Sequence, residues 1–152
     1  MTDSIKQELT LPDFVGLKDY YEQRLTNGQR AELRRVSKPD IYNMVPSFYR
    51  LVRDFLPPGE RPDKKWRRLV YILPYIDHAD EAASLGATLS SEGIREMRLF
   101  QMIRSSDPGD LVHLRRILQQ IHPTVDWRKF GRSIYLWGNW AKQRILEEYY
   151  LA

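Results

Sequence analysis

Residues 99–118, LFQMIRSSDPGDLVHLRRIL, decide the fold of this chain. They predict the end of one helix, a sharp turn and the start of a second helix. Asp107 is placed to cap the second helix, and Pro108 suits a first helical position, where its missing N–H costs nothing. The apolar residues of the second helix recur every three or four positions, which predicts one buried face. These residues are Leu111, Leu114, Leu118 and Ile121.

Arginines flank the turn of this hairpin. Arg104 closes the first helix, while Arg115 and Arg116 fall outside the apolar face of the second. We therefore expect the apolar face to fix the hairpin in a core and the arginines to lie on a rigid surface beside the turn. Such a surface suits phosphate binding better than catalysis, because arginine forks match phosphate oxygens.

The remaining sequence also has helical periodicity, with no useful strand alternation and no internal repeat. Helices are predicted over residues 11–25, 29–36, 40–44, 46–55, 63–76, 85–93, 94–104, 107–121 and 126–150. Three residues of the seventh helix, Met97, Phe100 and Ile103, are expected to point inward. Gly131 and Gly138 are expected to allow close helix packing. The chain is thus predicted to be all-α, a compact helical bundle of about seven to nine helices, and its length allows one domain or two small lobes that share a core.

Length and composition favour a single domain over residues 1–152. Its N-terminal helical lobe is expected over about 1–75 and its C-terminal helical lobe over about 85–152, joined by an acidic linker, 77–84. The absence of cysteine excludes disulfides, thiolate catalysis and Cys-ligated zinc. The first residues, MTDSIKQELTLP, lack the apolar core of a signal peptide, and no apolar run suits a membrane helix. We expect a cytoplasmic protein without membrane association.

Positive charge is concentrated in one part of the chain. Residues 1–23 carry two lysines and five acids, a net charge of −3, whereas residues 24–75 carry twelve Lys or Arg and five acids, a net charge of +7. Residues 76–152 are neutral, with ten charges of each sign. This distribution is compatible with nucleic-acid binding and equally with a solvated helix face.

The motifs of catalysis are absent from the sequence. There is no phosphate-binding glycine loop, no nucleophile elbow and no clustered carboxylates for a nuclease metal. A metal site could be imagined from Asp77, His78, Asp80 and Glu81, but their spacing favours a solvated acidic linker over a zinc site. The prediction is a protein that is not an enzyme and that uses no cofactor and no metal.

Basic residues at helix edges and turns remain as candidates. On rigid helices, such residues could follow the backbone of single-stranded nucleic acid without sequence preference. The candidate nucleic-acid-binding residues are Arg34, Arg35, Arg61, Lys64, Arg68, Arg98, Arg104, Arg115, Arg116 and Lys142.

Four blocks of sequence resemble, in order and spacing, the CasB family, the small subunit of the type I-E CRISPR surveillance complex Cascade. They are LRRVSKPDIYNMVPSFYRLV (33–52), SLGATLSSEGIREMRLFQMIR (84–104), DLVHLRRILQQIHPTVDW (110–127) and LWGNWAKQRILEEYYL (136–151). Several candidates match basic positions of the family, namely Arg35, Arg61, Arg98, Arg104, Arg116 and Lys142. This chain departs from the family at Asp107, Asn139 and Trp140, where relatives can carry basic residues.

The resemblance implies two helical lobes and two copies of the chain packed head to tail in an RNA-guided complex. The expected partners are a second copy, the backbone subunits with their guide RNA, the large subunit, and the displaced non-target strand of the target DNA. The resemblance also implies no catalytic residues. The alternative is a purely structural adaptor whose arginines pair with neighbouring protein subunits.

Overall fold

Short helices connected by tight turns form the structure. The computed structural model describes residues 10–152, and that part of the chain contains nine α-helices. They are α1 (Phe14–Gln23), α2 (Asn27–Arg34), α3 (Pro46–Val52), α4 (Lys64–Ile72), α5 (Leu85–Ser91), α6 (Glu96–Arg104), α7 (Gly109–Ile121), α8 (Trp127–Tyr135) and α9 (Asn139–Leu151). Three short 3₁₀ helices span Pro39–Met44, Arg53–Phe55 and Leu73–Tyr75. The predicted all-α class is confirmed.

One pair of very short strands accompanies the helices. β1 (Asp77–His78) runs parallel to β2 (Thr124–Val125), with Asp77 opposite Thr124. Two residues are too few to show the alternation by which strands are recognised in sequence, so this pairing was not predicted. The pairing ties the predicted acidic linker to the segment that enters α8.

Side-chain caps define several helix starts. The Asp63 carboxylate accepts a hydrogen bond from the Lys65 N–H at 2.9 Å, which confirms the predicted cap of α4. The Asp126 carboxylate likewise accepts from the Arg128 N–H at 3.1 Å. Both caps satisfy N–H groups that a helix start leaves without intrahelical partners.

The core is one continuous cluster of buried side chains from α1 to α9, and α4 lies near its centre. Five consecutive residues, 69–73, are almost completely buried at the end of α4. This end of α4 is therefore buried on all sides and requires neighbours on all sides. Accordingly, α4 contacts α2, α7, α8 and the 3₁₀ helix Pro39–Met44. No helix within residues 10–152 has both the length and the apolar character needed to cross a membrane.

The turn of the α6–α7 hairpin differs from its prediction. Helix α7 begins at Gly109, it has no side-chain cap, and Asp107 precedes Pro108 through a cis peptide bond. The predicted cap by Asp107 is therefore wrong. The Asp107 carboxylate lies 4.0 Å from the Arg68 guanidinium, so it faces α4 and not the first N–H groups of α7.

The predicted last helix, 126–150, is two helices. Residues 136–138 leave the helical conformation, and Gly138 has extended backbone with a φ of 173°. The break places the Trp137 indole in the core, where its Nε1 donates to the buried Asp110 carboxylate at 2.9 Å. The chain thus gives up continuous helical hydrogen bonding at residues 136–138, and in return it buries the Trp137 ring with its N–H hydrogen-bonded.

The buried face of α6 also differs from its prediction. Leu99 and Met102 are fully buried, whereas Met97 is 71% exposed and Phe100 and Ile103 are half-buried. The prediction that Met97 points inward is therefore wrong. α6 carries two sets of apolar residues with helical spacing, one with Met97, Phe100 and Ile103 and one with Leu99 and Met102. The spacing alone therefore does not decide which set faces α7.

Two glycines mark close contacts between helices. A Cβ on Gly131 would lie 2.8 Å from the Phe14 ring, which confirms the predicted close approach at that position. A Cβ on Gly138 would meet open space, so the same prediction is wrong there. The closest approach lies on α5, where a Cβ on Gly86 would lie 2.4 Å from the Ile145 carbonyl oxygen.

We expect Gly86→Ala to lower the free energy of unfolding by about 2–3 kcal/mol, because the added methyl group meets backbone atoms of α9 that cannot rotate away. Gly28→Ala is the matched control. Gly28 is also the second residue of its helix, and a Cβ there would meet only the Thr26 hydroxyl, at 3.9 Å. Urea denaturation followed by circular dichroism should show Gly28→Ala at or slightly above the stability of the unchanged chain. Equal stability of the two variants would contradict the close α5–α9 contact.

Candidate nucleic-acid interface

Two of the ten candidate basic residues are buried. Arg115 is 5% exposed and Lys142 is 8% exposed, so the prediction that they lie on the surface is wrong. Of the others, Arg34, Arg35, Arg61, Lys64, Arg104 and Arg116 are exposed, while Arg68 and Arg98 are half-buried. The candidates therefore divide into structural cations and surface cations.

The Arg115 guanidinium closes the C-terminal end of α2. It donates to the backbone oxygens of Val36, of Arg34 at 3.1 Å and of Leu33 at 3.4 Å. The Leu33 and Arg34 oxygens belong to the last turn of α2, where carbonyl groups lack intrahelical partners and the helix dipole attracts a cation, and Val36 lies just beyond the end of that helix. Arg115 on α7 is thus a cap supplied from a distant part of the sequence.

Aromatic rings complete the surroundings of Arg115. Its Cζ lies 4.0 Å from the centre of the Tyr71 ring and 5.0 Å from that of Tyr75. Burial raises the pKa of Tyr71, and the Arg115 cation opposes that rise. Carbonyl oxygens and ring faces together replace much of the water that a buried cation loses, although the Arg115 Nε itself has no hydrogen-bond partner within residues 10–152.

Lys142 holds α9 against the start of α7. Its Nζ lies 2.8 Å from the Asp110 carboxylate and donates to the Ser105 carbonyl oxygen, also at 2.8 Å. Asp110 is itself buried and accepts the Trp137 Nε1–H described above. The candidate Lys142 is therefore held in a buried ion pair and is not available to a ligand on the surface.

Arg98 and Arg116 lie side by side on the solvent-facing side of the α6–α7 hairpin. A depression of about 340 Å³ is lined by Arg98, Gln101, His113, Arg116 and Ile117. The Arg98 guanidinium also donates to the side-chain oxygen of Gln120. We call Arg98, Gln101, His113, Arg116 and Gln120 the hairpin surface. None of its five side chains is acidic, and all five can donate hydrogen bonds.

Further cations lie at the turn end of this hairpin. The Arg104 guanidinium is exposed and packs on the Phe100 ring, with its Cζ 5.3 Å from the ring centre. Arg68 reaches the turn from α4 through Asp107. Lys64 is four residues before Arg68, so the two share one side of α4. The structure thus brings the basic start of α4 to the hairpin that carries Arg98 and Arg116.

The other candidates lie apart from the hairpin surface. The Arg34 guanidinium donates to the Tyr21 hydroxyl at 3.1 Å, and the Arg35 Nε donates to the Ala31 carbonyl oxygen at 3.3 Å. Both residues lie at the end of α2, next to the oxygens that Arg115 caps. Arg61 lies in the loop between Phe55 and Lys64, exposed and without an ion pair to any residue in 10–152.

Neutral donors of the hairpin surface were missed from the sequence. Gln101 follows Arg98 by three residues, and His113, Arg116 and Gln120 are spaced by three and four on α7. Searching the polar positions for the same helical spacing as the apolar ones would have found this face. Gln101 and Gln120 carry no charge, so they are not among the candidates chosen for their positive charge.

The linker histidine has backbone and side-chain partners. The His78 Nδ1 accepts from the Trp127 N–H at 2.9 Å, and its Nε2 lies 3.0 Å from the Asp80 carboxylate. Hydrogen bonds from Arg128 and the charge of its guanidinium lower the pKa of Asp80. Although His78, Asp80 and Asp126 offer ligand atoms within 4.8 Å of one another, Asp126 uses both oxygens for backbone N–H groups. The expected absence of a metal stays a prediction.

The fold and this surface define a small all-α protein with a cationic helical hairpin. The family model for CRISPR-associated protein Cse2 matches residues 29–150. The chain belongs to this family.

Relatives agree with the family match. The CRISPR system Cascade subunit CasB of Escherichia coli (strain K12) is 38% identical over 140 residues, which cover 85% of this chain and 88% of the relative. A chain in the crystal structure of E. coli Cascade bound to a PAM-containing double-stranded DNA target superposes with a TM-score of 0.85 at 37% identity. The match covers 93% of this chain and 99% of the other. The resemblance to CasB is confirmed.

We expect Arg115→Ala to lower the free energy of unfolding by about 3 kcal/mol, because it leaves the carbonyl oxygens at the end of α2 without their buried donor. Arg116→Ala is the matched control: it removes the same side chain from the exposed neighbouring position, and we expect a change within about 0.5 kcal/mol. Urea unfolding midpoints of the two variants provide the measurement. A similar loss in both would mean that the cap by Arg115 contributes little to stability.

Proposed function

We propose that this chain is the non-catalytic small subunit of a CRISPR Cascade complex, and that its hairpin surface holds the displaced non-target strand of the target DNA. The expected partners are the backbone subunits with their guide RNA, the large subunit and a second copy of the chain. The 38% identity to a Cascade subunit and the fold shared with a chain of a DNA-bound Cascade support this assignment.

The hairpin surface is the observation that carries the proposal. Arg98 and Arg116 present guanidinium groups on two packed helices, and Gln101, His113 and Gln120 add further hydrogen-bond donors around them. Donors of this kind bind phosphate and sugar oxygens without regard to base sequence. A displaced strand requires such binding, because its sequence changes with every target.

The energetics of strand displacement make a small cationic surface sufficient. The guide–target duplex is about as stable as the DNA duplex that it replaces, so opening the target is nearly balanced. A few contacts to the displaced strand remove it from competition for the target strand. A subunit without catalytic groups can therefore shift the equilibrium by binding alone.

A structural adaptor is the second candidate. Several large apolar side chains are exposed on the C-terminal part of the chain: Met97, Leu136, Trp140, Tyr150 and Leu151. Where exposed apolar groups form a contiguous patch, they commonly mark a contact with another protein. In that case, loss of surface arginines would weaken assembly of the complex and leave the salt dependence of DNA binding unchanged.

We expect the double substitution Arg98→Ala and Arg116→Ala to leave the subunit in the assembled complex and to raise the dissociation constant for target DNA about tenfold, because phosphate contacts are lost. The slope of log K against log salt should fall by roughly 0.7 for each contact removed. Binding of the reconstituted complex to a double-stranded target over a salt series provides the measurement.

The matched control removes two exposed arginines elsewhere, with Arg24→Ala and Arg53→Ala. The Arg24 guanidinium packs on Tyr20 of α1, and Arg53 lies beside Asp54. The control complex should retain both affinity and salt slope. Unchanged DNA affinity of an intact Arg98/Arg116 complex would refute the strand-holding role. Loss of the subunit from that complex would favour the adaptor.

A further inference from the structure

A second concave surface lies between α8 and α9. The groove has a volume of about 650 Å³, within the range of small-ligand sites. Its apolar wall includes Phe130, Ala141 and Ile145, and Trp140 stands at its edge. The sequence candidates for nucleic-acid binding include no residue that lines this groove.

Trp140 differs from the other tryptophans of the chain. Trp66, Trp127 and Trp137 are buried core residues, whereas Trp140 is 66% exposed. It is the second residue of α9, a rigid helix that Lys142 fixes to the hairpin. An exposed indole on a rigid helix loses little freedom when a flat ring packs against it.

One cation packs on the indole, and two others line the same groove. The Arg144 Cζ lies 5.3 Å from the centre of the Trp140 ring. Arg132 also lines the groove and makes no ion pair with any residue in 10–152, while Lys129 pairs only loosely, at 3.4 Å, with the exposed Glu81. An aromatic face beside arginines is the combination by which proteins bind unpaired bases and their phosphates.

The acidic residues of the groove are already satisfied. The Asp126 carboxylate is 7% exposed and accepts from the Glu81 and Arg128 N–H groups. The Glu148 carboxylate accepts from the Gly86 N–H at 3.3 Å and lies 3.6 Å from Arg144. Their charges are therefore partly neutralised by the protein, and Arg132 remains available to an anionic ligand.

We propose that the α8–α9 groove binds an unstacked nucleobase of single-stranded nucleic acid, with Trp140 as the stacking platform and Arg132 as a phosphate contact. This inference rests on the proposed function, since it assigns the base to the displaced DNA strand. It adds base stacking to the phosphate binding of the hairpin surface. The two surfaces recognise different parts of a nucleotide, so one experiment can separate them.

The experiment uses the assembled complex and a target whose displaced strand is either normal or abasic over its whole displaced length. We expect Trp140→Ala to raise the dissociation constant about tenfold on the normal strand and not to change it on the abasic strand, because only a base can stack. Trp140→Phe should restore most of the affinity. Tyr49→Ala, which removes another exposed aromatic residue, is the matched control and should have no effect.

Other outcomes would overturn the stacking site. An equal loss on both strands, or no loss on either, would show that Trp140 does not contact a base of the displaced strand. Reduced incorporation of the Trp140→Ala subunit would show that the groove binds a protein. The Arg98/Arg116 variant should lose affinity on both strands, since abasic DNA keeps its phosphates. If the Arg98/Arg116 variant keeps its affinity on both strands, the strand-holding role of the hairpin surface is refuted, whereas base stacking in the groove is not.

Discussion

The buried guanidinium of Arg115 is the contact on which the arrangement of the α6–α7 hairpin depends. It joins α7 to the end of α2 and packs on the rings of Tyr71, in α4, and Tyr75, in the 3₁₀ helix that follows α4. A buried cation is tolerated only where polar groups replace its lost hydration, so the position of α7 relative to α2 is tightly specified. Arg116, the next residue, is thereby held at a fixed place on the surface.

A second buried polar group fixes the hairpin near its turn. Asp110 accepts from the Trp137 indole and pairs with Lys142, so the start of α7, the break before α9 and α9 itself meet at one carboxylate. Polar anchors near both the turn and the middle of α7 leave the hairpin little freedom to shift. Pre-organised donors bind an anionic strand at a lower entropic cost than donors on mobile loops.

The two proposed surfaces depend on these anchors in different ways. The hairpin surface lies on α6 and α7, whereas the groove lies between α8 and α9. Lys142 connects the two, because it belongs to α9 and pairs with a residue of α7. A strand that contacts both surfaces would therefore meet a single rigid support. Its phosphates would contact the hairpin, and a base would contact Trp140.

The sequence by itself determined the helical class, most helix starts and the identity of the core, because apolar spacing and short-range caps act within a few residues. Family membership was also evident from ordered blocks of residues. Only the tertiary structure decided which cations are free. Arg115 and Arg116 are neighbours with the same chemistry, and their difference arises from carbonyl groups about 80 residues earlier in the chain. Likewise, Lys142 was expected on the surface and is buried in an ion pair with Asp110, whereas Trp140 is exposed. The helix breaks at Gly138, where burial of Trp137 outweighs helical continuity.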